Sequence, residues 1–231
     1  LGQPSLNSTA QGIVNTLKQQ GTPPDATLTR WVADAVKAVN SPCYAALYQP
    51  ASSTVIGFGL KGTGLCRVNW GDGTSTNITL NATEQKLVHN YATAAKRPVL
   101  IVGNVTYFRN DVDASYGGAL SANYGGRIDS LTSLTFLYVA GNNTLSGSVA
   151  GLTSLTVISV QGNNTLSGSV AGLTSLTFLS VGGNNTLSGS VAGLTGLTYF
   201  AALGNNTLSG SVAGLTSLTT LNVGGNNTLS G

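Results

Sequence analysis

A strictly periodic repeat constrains this chain more than any other feature. The string GNNTLSG begins at positions 141, 162, 183, 204 and 225, so each copy starts 21 positions after the one before it. Such a period is typical of solenoids, in which each repeat forms one coil and buries its apolar side chains against the neighbouring coils. The last copy stops at Gly231 within a repeat, so we expect a solenoid that is incomplete at its C-terminal end.

Apolar residues recur at fixed places in every copy and indicate the shape of one coil. After Leu155, Ile158 and Val160 follow at the spacing of a short strand with alternate inward side chains, and Asn163 stands three places further on. This L-x-x-L-x-L-x-x-N pattern resembles the leucine-rich repeat, and the resemblance covers roughly residues 100–231. It implies a wound solenoid in which one asparagine of each coil hydrogen-bonds the backbone of adjacent coils.

The resemblance therefore predicts a ladder of buried asparagines along the solenoid. The chain departs from the signature at one point, because the leucine after the asparagine comes one place later than expected, as at Leu166. The predicted ladder consists of the first asparagine of each copy, namely Asn142, Asn163, Asn184, Asn205 and Asn226.

The copies differ from one another almost only within the strand. One outward position reads Phe136, Val157, Phe178, Tyr199 and Thr220 in successive copies. Because neighbouring strands lie about 4.8 Å apart, such residues form stripes on the concave sheet. Two interpretations stay open: an uncharged recognition surface for protein or glycan, or aromatic and β-branched neighbours that only stabilise a parallel sheet. The candidate ligand contacts are Phe136, Tyr138, Val157, Gln161, Phe178, Tyr199 and Asn222.

Charged residues are scarce and confined to the first part of the chain. They make up 7% of all residues, and residues 130–231 contain no Asp, Glu, Lys, Arg or His. A segment without titratable groups has no ordinary general acid or base, so we expect no enzymatic activity and no cofactor. Ten cations against seven anions are too sparse for a nucleic-acid surface. One histidine and two cysteines cannot supply the four protein ligands of a structural zinc site, and we expect no bound metal.

Residues 1–50 are predicted to form a helical hairpin that serves in anchoring or assembly. Ser8 and Asp25 stand at helix N-cap positions, and apolar residues recur at helical spacing between Leu28 and Val39. So short a segment buries this stripe poorly by itself, so we expect it to pack on the next module or on another subunit. The chain has no apolar stretch of about 18 residues, and we expect no membrane-spanning helix.

Residues 51–107 contain several β-forming segments separated by turns rich in glycine and asparagine. The string WGDGT at 70–74, followed by His89 and Tyr91, resembles the PKD-like β-sandwich modules of surface proteins. That resemblance implies that Trp70 packs inside and that Asp72 with its following glycine forms a hairpin turn. A catalytic use of Asp72 and His89 is the disfavoured alternative.

Residues 108–133 are predicted to form an N-terminal cap with an insertion, and residues 134–231 the solenoid itself. Val105, Tyr107 and Asn110 resemble a degenerate first coil. Cys43 and Cys66 are candidates for a disulfide in an oxidising compartment, or else two separate buried thiols.

The tripeptide N-x-T, an acceptor of N-glycans in secreted eukaryotic proteins, recurs along the chain. The copies within the repeat begin at the predicted ladder asparagines, where burial disfavours glycosylation. The remaining acceptors, favoured if the host adds N-glycans, are Asn7, Asn77, Asn81 and Asn104.

Together these features resemble bacterial surface adhesins and the fibre or appendage proteins of tailed phages. We expect an extracellular structural and adhesive protein, on a virion or a cell surface, that projects its repeat shaft for contact with protein or glycan. Residues 1–107 would mediate self-association or contact with other virion or surface proteins. The alternative is a secreted leucine-rich-repeat receptor of eukaryotic type that binds one protein ligand.

Overall fold

The computed structural model describes residues 44–49, 54–95, 97–110, 125–140 and 144–231. All regular secondary structure in these residues is β-strand, which confirms a mainly β fold for this part of the chain. Its strands are β1 (Tyr44–Gln49), β2 (Val55–Asn69), β3 (Ser75–Leu80), β4 (Gln85–Asn90), β5 (Arg97–Asn110), β6 (Gly125–Arg127), β7 (Phe136–Val139), β8 (Thr144–Ser148), β9 (Val157–Val160), β10 (Thr165–Ser169), β11 (Phe178–Val181), β12 (Thr186–Ser190), β13 (Tyr199–Ala202), β14 (Thr207–Ser211), β15 (Thr220–Val223) and β16 (Thr228–Ser230).

The helical hairpin predicted for residues 1–50 is not confirmed. Residues 1–43 lie outside the described residues, and Tyr44–Gln49 is strand β1 rather than part of a helix. Ala45 and Leu47, two positions apart, are both buried, which is the spacing of a strand and not of a helical face.

Residues 134–231 form a β-solenoid, as the repeat predicts. The hydroxyl of Thr156 donates a hydrogen bond to the carbonyl of Thr135, which lies 21 residues earlier in the neighbouring coil. Each coil gives one strand to each of two parallel sheets. We refer to β7, β9, β11, β13 and β15 as the aromatic sheet, and to β8, β10, β12, β14 and β16 as the hydroxyl sheet.

The two sheets differ in how their strands are aligned. In the aromatic sheet Phe178 pairs with Val157 and Tyr199, in step with the repeat. In the hydroxyl sheet Ser167 pairs with Thr186 instead of Ser188, the residue at the equivalent place in the next copy. Each strand of the hydroxyl sheet is therefore displaced by two positions relative to its neighbour.

Leucine and valine side chains from both sheets meet in one continuous core. In one coil Leu179 and Val181 point inward from the aromatic sheet, and Leu176 precedes the same strand by two residues; all three are at most 1% exposed. Leu187 and Leu194 fill the same coil from the hydroxyl sheet and the following turn. Burial of the solenoid core therefore depends on coils stacking against their neighbours, as in other solenoids.

A buried ladder exists, but the second asparagine of each repeat builds it. The fully buried ladder residues are Asn164, Asn185 and Asn206. The Oδ1 atom of Asn185 accepts a hydrogen bond from the backbone N–H of Leu166 at 3.1 Å. Its Nδ2 donates to the carbonyls of Gly182 at 2.6 Å and Val160 at 3.3 Å. The predicted ladder residues Asn163, Asn184, Asn205 and Asn226 are exposed instead, and Asn142 lies outside the described residues.

The ladder prediction was wrong by one residue because the turn after the strand is longer than the signature allows. Residues 161–163 lie between Val160, the last residue of β9, and Asn164. Gly162 enters this turn with a φ of 82°, a conformation that glycine adopts without steric cost. Asn164 and Leu166 then have the N-x-L spacing of the leucine-rich repeat. The late position of Leu166 was therefore the sequence signal for the shift.

Residues 54–110 form an antiparallel sheet around the long strand β2. Strands β3 and β4 pair in turn with one edge of β2, and β5 pairs with the other edge. The register between β2 and β5 shifts after Lys61 and again between Thr63 and Arg67, which marks β-bulges that bend the pair.

Strand β5 is the point at which both solenoid sheets begin. Its C-terminal half pairs in parallel with β7, and Tyr107 lies beside Phe136, in agreement with a degenerate first coil. Its N-terminal half pairs with β1, which pairs with β6, and β6 adjoins β8 of the hydroxyl sheet. The predicted boundary at 107 lies inside β5, and a separate β-sandwich over 51–107 is not confirmed, because its sheet is continuous with the solenoid.

Cys66 on β2 is a free thiol with 2% of its surface exposed. The predicted disulfide to Cys43 is absent at Cys66, and Cys43 itself lies outside the described residues. Burial raises the pKa of Cys66 to about 12, so the thiol stays protonated and poorly reactive at neutral pH.

The ladder predicts a sharp difference between two adjacent asparagines. Asn185→Ala leaves the buried N–H of Leu166 without an acceptor, and we expect it to lower the free energy of unfolding by about 1–3 kcal/mol. Asn184→Ala, the matched control, truncates an exposed amide and changes that free energy by less than about 0.5 kcal/mol. Urea denaturation followed by circular dichroism measures both variants. Equal losses would contradict the ladder described above.

The burial of Cys66 predicts its reactivity. In a Cys43→Ser variant, we expect iodoacetamide to leave Cys66 unmodified in the folded protein and to alkylate it fully in urea. Mass spectrometry of each sample counts the labels. The native chain, denatured without reductant, is expected to take two labels, and a count of zero would contradict the free thiol at Cys66.

Candidate contact surface

The aromatic sheet presents its outward side chains in columns along the solenoid. In β7, β9 and β11 buried residues alternate with half-buried ones, so every second side chain faces outward. Strand pairing places the predicted contacts Phe136, Val157, Phe178 and Tyr199 in one column that ends at Thr220. The column begins one strand earlier than predicted, at Tyr107 of β5.

The rings in this column stack on one another along the solenoid axis. Tyr107 and Phe136 have centroids 4.3 Å apart and planes 13° from parallel, and Phe178 and Tyr199 lie 4.4 Å and 7° apart. Each stacked pair stabilises the fold by about 0.5–1.5 kcal/mol beyond the area it buries. Because the rings of each pair turn their faces toward each other, their edges face outward. The column is therefore a poor platform for a sugar, which stacks on the face of a ring.

A second outward column runs beside the first and contains the predicted contacts Tyr138 and Asn222. Between them the column carries smaller residues, including Ser180. Gln161 lies directly after β9, and its Nε2 donates a hydrogen bond to Ser180 Oγ at 3.1 Å. Leu203, two coils further on at the same place, is 43% exposed. The structure thus gathers all seven predicted contacts on or beside one sheet, with Leu203 as a further apolar member.

Charged side chains collect where the aromatic column begins. Lys61 Nζ lies 4.5 Å from the centroid of the Tyr107 ring, and the Arg109 guanidinium lies 5.6 Å from that of Tyr138. The Tyr107 hydroxyl donates to Glu84 at 3.4 Å, and Glu84 also lies 4.0 Å from Arg109. Burial and the Glu84 carboxylate raise the pKa of Tyr107, although Arg109 acts in the opposite direction. Tyr107 and Arg109 were not predicted as site residues, although the degenerate first coil contains Tyr107.

Asp72 lies in the turn between β2 and β3, and His89 of β4 contacts it there. His89 Nε2 is 2.7 Å from Asp72 Oδ2, and Oδ1 of Asp72 accepts hydrogen bonds from the backbone and hydroxyl of Thr74. The His89 ring stacks on Trp70 at 4.7 Å and meets the edge of Tyr91, whose hydroxyl donates to the Trp70 carbonyl. Trp70 is 2% exposed, as predicted. These contacts explain the pair as a support for the turn.

The asparagines of the N-x-T tripeptides differ in how far their side chains are exposed. Asn77 and Asn81 are exposed, and Asn104 is half-buried with its Nδ2 donating to Thr63. The repeat acceptors such as Asn163 are also exposed, which removes the burial argument against their glycosylation. Asn7 and Asn142 lie outside the described residues.

Two further findings concern the described residues alone. Within 44–49, 54–95, 97–110, 125–140 and 144–231, no three His, Cys, Asp or Glu residues come close enough together to hold a metal ion. The same part of the chain contains no helix with the length and apolarity needed to cross a membrane.

No protein-family model and no curated protein matches the chain. Solved structures resemble it in part. The functional domain of InlJ from Listeria monocytogenes, which includes a cysteine ladder, is 30% identical over 44% of this chain and 22% of its own, with a TM-score of 0.35. The leucine-rich-repeat ectodomain of the receptor kinase SOBIR1 from Arabidopsis thaliana is 21% identical over 47% of this chain and 68% of its own, with a TM-score of 0.33. A TDR receptor is 22% identical over 52% of this chain and 30% of its own, with a TM-score of 0.31.

These similarities are local, since each covers about half of this chain and the InlJ domain is spanned over only 22% of its length. The leucine-rich-repeat-like character of the solenoid rests on its own coils. A short strand, an asparagine ladder and an N-x-L step recur once in each of them.

The Asp72 contacts predict a pH-dependent contribution to stability. Partial burial alone would raise the pKa of Asp72, but hydrogen bonds from Thr74 and His89 outweigh it and hold the pKa below its ordinary value of 3.8. A carboxyl with a lowered folded-state pKa stabilises the fold above its unfolded-state pKa, and the effect disappears as the pH falls through the folded-state value. We therefore expect Asp72→Asn to lower the free energy of unfolding at neutral pH. This loss should become progressively smaller as the pH falls below 3.8.

Urea denaturation of both proteins between neutral and strongly acidic pH measures this difference. Lys86→Gln, which changes the net charge at an exposed site without removing a carboxylate, serves as the control and is expected to show no such dependence. A loss for Asp72→Asn that stayed constant at every pH would contradict the role assigned to its carboxylate.

Proposed function

We propose that this chain is an extracellular structural and adhesive protein whose solenoid binds a protein partner through the aromatic sheet. The observation that supports the proposal is that the sequence differences between coils are concentrated in the aromatic sheet. The strands of the hydroxyl sheet read TLSGS in β8, β10, β12 and β14, whereas those of the aromatic sheet read FLYV, VISV, FLSV, YFAA and TLNV. Within the aromatic sheet, most of the variation falls on outward residues that do not fill the core.

A protein is favoured over a glycan by how the rings lie. Stacking occupies the faces of Phe178 and Tyr199 that a sugar would use, while their edges and the exposed Leu203 offer apolar contacts for side chains. The charged cluster of Lys61, Glu84 and Arg109 borders this apolar surface at its first strand. An apolar centre with a polar margin is the usual arrangement of protein–protein interfaces.

An adhesive shaft, rather than an enzyme, is supported by the chemistry of the solenoid. Residues 130–231 have no titratable side chain of the acidic or basic kinds, so the coils offer contact surface and length but no ordinary acid or base. In the proposal, residues 1–107 attach the shaft to a virion or cell surface through further surface proteins or further copies of this chain.

Adhesion of beads that carry the full chain tests the proposal. We expect retention under flow on a subset of intact cells from a panel of bacterial and eukaryotic types. Treatment of those cells with trypsin should abolish retention, and mild periodate oxidation of their glycans should leave it unchanged. Retention that survives trypsin but is abolished by periodate would overturn the choice of a protein partner.

The matched variants exchange residues between coils. Phe178→Val and Tyr199→Thr together install what other coils carry in the same column, and we expect retention to fall about tenfold, or about 1.4 kcal/mol of binding free energy. Ala171→Ser changes an exposed turn residue and is expected to have no effect. Retention that is unaffected by the double variant, or absent on every cell type, would refute the proposed contact surface.

A further inference from the structure

The solenoid carries two kinds of threonine column with different hydrogen bonding. At the start of the aromatic sheet, the hydroxyl of Thr156 donates to the Thr135 carbonyl at 2.9 Å, and that of Thr177 donates to the Thr156 carbonyl at 3.2 Å. These hydroxyls join consecutive coils. In the hydroxyl sheet Thr165 and Thr186 are exposed, and within the described part of the chain their hydroxyls have no partner in the protein.

The fold explains most of the TLSGS strand but not its threonine. In β10, Leu166 fills the core, and Gly168 lies so close to the previous coil that a Cβ there would collide with Ser148 Oγ. The last serine, Ser169, accepts a hydrogen bond from the backbone N–H of Ala171 at 3.2 Å. Valine or isoleucine would suit the exposed first position of the strand as well as threonine does. Yet all five strands begin with threonine.

Strand pairing sets these hydroxyls out as a regular mesh. Ser167 of β10 lies beside Thr186 of β12, and one coil further on Ser188 of β12 lies beside Thr207 of β14. Along β12, Thr186 and Ser188 are two residues apart. Hydroxyl-bearing residues therefore repeat at about 4.8 Å across the strands and about 6.8 Å along them.

The ligand of such a surface must itself be periodic, uncharged and rich in hydrogen-bonding groups. The sheet lies within residues 130–231, a segment that has no charged side chain with which to attract an ion or an acidic polymer. Its rectangular mesh is close to that of the water oxygens on a prism face of hexagonal ice. We propose that the hydroxyl sheet binds ice, with the hydroxyls of its threonines, and of the serines two places after them such as Ser188, taking up places in the outermost layer of ordered water.

The hydroxyl sheet has no outward aromatic rings and no charged side chains, and both features favour ice over a crystalline polysaccharide as its ligand. Protein surfaces that hold crystalline polysaccharides use the faces of flat aromatic rings, and the outward residues of β8, β10, β12, β14 and β16 are threonine and serine. A neutral hydroxyl surface also lets bound water keep a lattice arrangement. An ammonium or carboxylate group instead orients water around itself.

Ice-affinity partition of the full chain, together with thermal hysteresis in a nanolitre osmometer, tests the proposal. We expect the native chain to enrich in a slowly growing ice phase and to depress the freezing point below the melting point. Thr186→Lys places an ammonium in the middle of the hydroxyl sheet and is expected to reduce ice affinity about tenfold, equivalent to about 1.4 kcal/mol. Thr207→Lys provides a second variant of the same kind, one coil away.

The matched control is Ser180→Lys, which adds the same charge to the aromatic sheet of the same coil and is expected to retain full ice affinity. Circular dichroism verifies that each variant keeps its sheet structure. Exclusion of the native chain from ice, or equal losses in Thr186→Lys and Ser180→Lys, would overturn the proposal. Binding to crystalline chitin or cellulose that Thr186→Lys abolishes, without ice affinity, would overturn it in favour of a polysaccharide. Because the adhesion experiment probes the other sheet, either proposal can fail while the other holds.

Discussion

The amide of one asparagine per coil is the interaction on which the solenoid depends. Each turn out of the aromatic sheet leaves backbone groups in an interior that water does not reach, and unpaired groups there are costly. Asn206 accepts from the N–H of Leu187 at 3.0 Å and donates to the carbonyl of Leu203 at 2.8 Å. Since Leu187 belongs to the preceding coil and Leu203 to the same coil, the amide closes its own turn and fastens it to the coil before. No coil can satisfy these groups by itself.

This arrangement separates the interior of the repeat from its surface. The asparagine, leucine and glycine positions are constrained by hydrogen bonding, core volume and close approach of coils. They are nearly the same in every copy, and the exceptions Ile158, Phe200 and Ala202 keep an apolar side chain in the core. The outward positions are not subject to these constraints, and their residues differ between the two sheets. One sheet varies and carries stacked rings, whereas the other repeats the same hydroxyls, so a single coil design supports two chemically distinct surfaces.

The sequence predicted the coil, its period, its core residues and the membership of the aromatic columns, because all of these follow from spacing along the chain. It misplaced the ladder by one residue, since the signature counts positions while the turn after Val160 takes three residues to bring Asn164 inside. The sequence did not predict that β5 connects the antiparallel sheet to the solenoid. That strand pairs with β1, β2 and β7, and such long-range pairing leaves no local pattern. The stacking of Phe178 on Tyr199 also depends on rotamers, which spacing does not specify.

Near-identical coil interfaces make the length of the shaft adjustable. Removing or adding one whole repeat unit joins surfaces that already match, because the core, the ladder and both strand registers recur from coil to coil. Recombination between copies of the repeating DNA would therefore shorten or extend the protein in steps of about 4.8 Å along the aromatic sheet, without a misfit at the junction. A lineage can thus vary the reach of this molecule far more readily than its cross-section.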